Sequence, residues 1–133
     1  MKARFLSALA ISAMAMTAWA HHSYGMFYEL DKAVLMKGRV GTISFVEPHV
    51  RLTIETTSSG SWEAEWTSPN ALMRAGVGND TLHIGDLLEI EGSPARDPNR
   101  RVVSALREIR RPADGWHWTR PDETAVPVSR TIE

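Results

Sequence analysis

The sequence predicts an all-β domain with one short helix, and three features lead there. Apolar and polar residues alternate through five separate runs after residue 33, the period of strands with one buried face. Clusters of Gly, Pro, Ser, Asn and Asp separate the runs, as turns between strands require. Only Ser68 to Gly76 carries the start and stop signals of a helix.

The first run, Val34 to Val46, changes phase along its length. Val34, Met36 and Val40 share one parity, whereas Ile43 and Phe45 take the other. One extra residue near Gly41 reconciles the halves and predicts a β-bulge there. Glu47-Pro48 ends this strand. In the second, His49 to Thr57, Val50, Leu52 and Ile54 face one way and His49, Arg51, Thr53 and Glu55 the other. Ser58-Ser59-Gly60 reads as a hairpin turn. In the third, Ser61 to Thr67, Trp62, Ala64 and Trp66 form a core face, leaving Glu63 and Glu65 as a solvated row.

Ser68 then serves as N-cap, Pro69 as first helical residue and Gly76 as stop. A helix this short cannot stand alone, so Leu72 and Met73 are expected to be buried against the strands. Asp86 to Gly92 and Arg101 to Ile109 are the fourth and fifth strands, parted by the turn signal Asp97-Pro98-Asn99. Five strands, a bulged first strand and a helix between strands 3 and 4 match a five-stranded OB-fold-like barrel. An eight-stranded or sandwich-like β domain that recruits both flanks is the alternative.

Lys2 and Arg4 precede an uncharged run from Phe5 to Met16, and Ala18-Trp19-Ala20 supplies the small residues a signal peptidase needs. The expected organisation is a cleaved signal peptide at 1–20, an N-terminal lead-in at 21–33, the OB-like barrel at 34–111 and a C-terminal tail at 112–133. The address is the periplasm. The chain has no cysteine, so an oxidising compartment would add no disulfide. No apolar stretch after Ala20 approaches the roughly 20 residues that cross a bilayer, so no transmembrane segment is expected in the mature chain. Loss of Lys2 and Arg4 lowers the 15 basic residues to 13 against 16 acidic ones, formally −3. That balance excludes a nucleic-acid partner held by clustered positive charge.

Several segments resemble one family. They are His21-His22-Ser23-Tyr24-x-Met26-Phe27, Pro48-His49-Val50, Ser68-Pro69-Asn70-x-Leu72-x-Arg74-x-Gly76, Gly85-Asp86, and Gly92 to Asp97. The resemblance is to a group of small exported bacterial proteins forming a domain of unknown function, and it spans most of residues 21–110. Glu47 departs from the Asn usual before Pro-His-Val. Val77 and Arg51 each stand where the family often has tryptophan. The resemblance implies export and a small β domain, and no established activity.

The strongest chemical candidate is the His21-His22 start. Cleavage after Ala20 would free an amine beside the His21 imidazole, a chelate that favours Cu(II) among divalent metals. Amine and imidazole have reference pKa values of about 7.8 and 6.5, so both can yield a proton to a metal near neutral pH. His49, on the polar parity of its strand, is the next candidate ligand, and Met26 adds a thioether suited to Cu(I). The competing readings are a solvated terminus for His21 and His22, a surface histidine bonded to a neighbouring strand for His49, and an apolar plug for Met26 with Phe27. His83 reads as a turn residue. Trp116-His117-Trp118 reads as a strap whose aromatics dock on the barrel or a protein partner. Arg107, Arg110 and Arg111 are expected to balance Glu89, Glu91 and Glu108. No nucleophile triad, phosphate loop or His-Glu-x-x-His pattern is present.

The sequence thus leads to a small periplasmic binding protein, with copper at His21, His22, His49 and Met26. The alternative is a metal-free ligand-binding or assembly module that engages a periplasmic protein through Trp116 and Trp118. A metal-dependent oxidase ranks last, because the sequence shows neither an open coordination position nor a substrate surface.

Overall fold

The computed structural model describes residues 24–121 and 123–133. After a helical turn at residues 24–27, the chain forms β1 (Ala33–Ser44), β2 (Arg51–Glu55), β3 (Ser61–Glu65), α1 (Pro69–Arg74), β4 (Leu87–Pro94), β5 (Val102–Arg111), β6 (Trp116–Thr119) and β7 (Val128–Ile132). The fold is mostly β, as the alternation requires. The strands join one sheet in the order β2-β3-β5-β4-β1-β7, with β6 on β5 and a further pairing of β1 with β2.

β1 carries most of this topology. Its residues 34–39 run antiparallel to β4, and residues 39–44 run antiparallel to β2. The register slips between Val40 and Thr42, so the phase change in the sequence is a bulge at Gly41. Gly38 lies where the two pairings meet. A Cβ there would stand 2.5 Å from the Glu55 carbonyl oxygen and 2.7 Å from Ile54 Cγ2, a space only hydrogen can fill.

The alternating residues make the core. Val34, Met36 and Val40 of β1, Leu52 and Ile54 of β2, Leu88 and Ile90 of β4, and Val103, Leu106 and Ile109 of β5 are all buried in one cluster. Ser68 caps α1, its hydroxyl accepting from the Ala71 amide at 3.2 Å. Leu72 is buried as expected, but Met73 is 54% exposed. Adjacent positions on a helix point about 100° apart, so one short turn cannot press both onto the sheet.

Residues 112–133, expected as a tail outside the strands, contribute two of them. β6 pairs with β5 and aligns Trp118 with Ile109, while β7 runs parallel to β1 from Ala33 to Met36. Trp118 is buried, its ring edge-on to Trp66 with centroids 5.1 Å apart, and Ile132 joins the same core. Trp116 lies under the Arg111 guanidinium at 5.5 Å. The periodicity was too short to read: four or five residues between prolines and glycines hold barely two turns of alternation. The arginines divide similarly. Arg110 meets Glu89 and Glu108 as expected, whereas Arg111 pairs with Asp86 and Asp114, and Arg107 with Glu123.

Trp118→Ala therefore removes a core side chain. Urea denaturation should show a loss of about 3–5 kcal/mol with an unchanged slope, whereas a solvated strap would lose less than about 0.5.

Candidate functional site

Two backbone hydrogen bonds, one side-chain hydrogen bond and one bridge fasten the lead-in to the end of β4 and the loop after it. The Glu29 amide donates to the Pro94 carbonyl at 3.0 Å, and the Arg96 amide to the Phe27 carbonyl at 2.9 Å. Tyr28 bridges Ala95, and Arg96 Nε donates to the Gly25 carbonyl at 2.8 Å. This fastening lays Tyr24 and Tyr28 over the end of β3, their rings 5.1 Å apart.

Beneath them sits Glu65. Alternation assigned it to a solvated row with Glu63, yet its side chain is only 11% exposed, against 41% for Glu63. β3 runs parallel to β5 with Ala64 opposite Val103, and the next step brings Glu65 beside the fully buried Ser104. The Tyr24 and Ser104 hydroxyls hydrogen-bond to one another, and each oxygen lies 3.3 Å from Glu65 Oε1. Two hydroxyls have two protons: one joins them and the other reaches the carboxylate. Across the strand pair, Arg51 Nη2 stands 3.6 Å from Glu65 Oε2.

His49 completes the group. It precedes β2, is half-buried, and directs Nδ1 at Glu65 Oε1 from 3.4 Å. A carboxylate in that position favours the proton on Nδ1 and leaves the Nε2 lone pair for another partner. His49 also lines a cavity of about 470 Å³ with Tyr24, Trp66 and Arg120.

The other candidates are distributed differently. His21 and His22 lie outside the described residues. Met26 and Phe27 are 71% and 54% exposed, so they do not fill a gap in the core. His83 is mainly solvated, and its amide donates to Asp86 Oδ2 within its turn. Trp118 is spent on the core. Among the described residues, no group of three or more His, Cys, Asp or Glu could hold a metal ion. No helix among them is long and apolar enough to cross a membrane.

Sequence reasoning missed Glu65, Ser104 and Tyr24 as a unit. Ser104 carried a faint signal, as a polar residue inside an otherwise apolar stretch of the fifth strand. Glu65 carried none, because the lead-in that covers it is remote in sequence.

These features define a small all-β domain with a covered carboxylate at one strand end. The chain belongs to a family of unknown function, DUF6152, whose model matches residues 9–104. No curated protein and no solved structure matches it.

Burial raises the Tyr24 pKa above its ordinary value, the Ser104 hydrogen bond opposes this, and the nearby Glu65 charge adds to it. A raised folded pKa means that the folded state holds the phenolic proton more tightly than the unfolded chain does. The linked stability is complete below about pH 10 and drains as pH rises from there through the folded value. Urea midpoints measured across that range should fall more steeply for the native chain than for Tyr24→Phe. Parallel declines would show that Tyr24 ionises as a solvated tyrosine does.

Proposed function

We propose that this is a small exported binding protein that holds copper at a free amino terminus beginning with His21. In this reading the leader, residues 1–20, is removed in the periplasm. The His21 amine and imidazole, with His22, form the chelating end, and His49 Nε2 adds a ligand from the folded domain. Met26, on the same lead-in and exposed, offers a thioether to the reduced ion. The domain behind the site reads as an OB-like barrel. In support, β1 pairs with both β2 and β4, and the pairings β2-β3-β5-β4 connect the two.

One observation carries the copper reading: His49 is held through Nδ1 by a covered carboxylate beside Tyr24, three residues from His21. Three residues span at most about 11 Å, so the chain itself keeps His21 within reach of this corner. Carboxylate–histidine pairs of this kind orient a metal-ligating imidazole. Because the described residues contain no complete cage, ligands from the terminus are what the reading requires. Copper is favoured over other divalent ions by the general affinity order and by the nitrogen-rich donor set.

Calorimetric titration with Cu(II) tests this on protein starting at His21. One extra glycine before His21 should weaken binding at least about tenfold, as should His49→Ala, whereas Glu65→Gln should cost about 10–100-fold by releasing the imidazole. Equal affinity with and without the extra glycine would remove the free terminus from the site.

A further inference from the structure

Apart from His49 itself, the copper reading makes no use of the cavity that this histidine borders. Its volume, about 470 Å³, falls within the roughly 300–1,000 Å³ of small-molecule sites. Arg120 and Thr67 supply hydrogen-bond donors to its lining, His49 borders it, and Trp66 and Leu30 supply apolar walls. Among the described residues no carboxylate lines it. Two acids stand behind lining side chains instead. Glu65 meets His49 Nδ1 at 3.4 Å while facing a neighbouring pocket, and Glu123 Oε2 meets Arg120 Nη1 at 3.4 Å. Both acids therefore steady a lining side chain, and neither lines the cavity itself.

The backbone is also specialised at this wall. Ala105 is the one non-glycine residue with positive φ among the described residues, at 48°. Between Ser93↔Ser104 and Glu91↔Glu108, β5 spends four steps against two on β4, and Ala105 lies in that bulge. An L-residue in this conformation is held there by its surroundings, and such strain concentrates at ligand sites. Here it turns a small side chain to the cavity where a regular strand would continue the core alternation.

We infer that this cavity binds a small organic carboxylate with a flat apolar body. Arg120 reads the carboxylate, with Thr67 donating beside it, and the body packs against Trp66 and Leu30. Arginine suits this role because its planar fork presents paired donors to a carboxylate. The inference goes beyond the copper reading and requires no metal.

The test uses the chain from His21 onward, stripped with a chelator and titrated calorimetrically with indole-3-acetate and with its neutral amide. Saturable one-site binding of the acid is expected, with the amide at least about tenfold weaker, the scale of a lost hydrogen bond to a charged group. Arg120→Gln should weaken the acid by at least as much and leave the amide unchanged. Leu30→Trp fills the cavity without touching the guanidinium and should abolish both, so a folding defect in the arginine variant leaves the question decidable. Equal binding of acid and amide, an unchanged Arg120→Gln, or no saturable binding would each overturn the inference. Binding seen only after Cu(II) is added would overturn it too while sparing the copper reading, and loss of copper binding alone would spare this one.

Discussion

A single strand meets three others, and the rest of the molecule is arranged around that constraint. β1 gives one edge to β4 and divides the other between β7 and β2. A flat strand of twelve residues could not do this, because the directions of its partners diverge. Gly38 removes the side chain where the backbone of β2 presses closest, and the slip at Gly41 turns the second half toward β2. Without those two positions the core residues of β1 before and after the bend could not face one interior. Met36 and Val40 lie on either side of Gly38, and both are buried.

The site is a consequence of how this arrangement ends. β3 finds a parallel neighbour in β5 for a short stretch, which places Glu65 against Ser104 at the margin of the sheet. A carboxylate there would ordinarily be solvated. The lead-in, pinned by the loop after β4, instead covers it with two tyrosines. Desolvation of this kind is costly unless donors compensate it. Here they converge: one hydroxyl proton of the Tyr24–Ser104 pair and the nearby His49 imidazole at Oε1, and a guanidinium near Oε2. A group so surrounded holds its neighbours in place as much as they hold it, and His49 directs Nδ1 at it from 3.4 Å.

What the sequence disclosed and what it withheld follow the range of the forces involved. The bulge at Gly41, the Ser68 cap and the burial of Val50, Leu52 and Ile54 were legible because each rests on local backbone geometry or on a two-residue period. Met73 was misread because a six-residue helix offers too little length to set its rotation from pattern alone. β6 and β7 were missed for a related reason. Their pairing to β5 and β1 depends on residues far away in the chain, and the sequence, which let Trp118 dock on the barrel or on a partner, could not name Trp66 as what it packs against. His49 was legible as a polar-face histidine, but the carboxylate that orients it was not, since Glu65 obeys the alternation and is covered by a distant segment. Local rules found the strands; the site lies where nonlocal packing overrides them.

The fastening of the lead-in bears on how much organisation the terminus needs. Its anchors at residues 25–29 are largely main-chain bonds to residues 94–96, together with the Arg96 side chain on the Gly25 carbonyl. They therefore hold whatever side chains stand ahead of Tyr24. Tyr24 itself is tied through its hydroxyl to Ser104, so the fold sets the point and the direction from which the preceding residues begin. In the proposed copper site, a short tether to such a fixed point would raise the local concentration of the groups it bears and lower the entropy lost on binding.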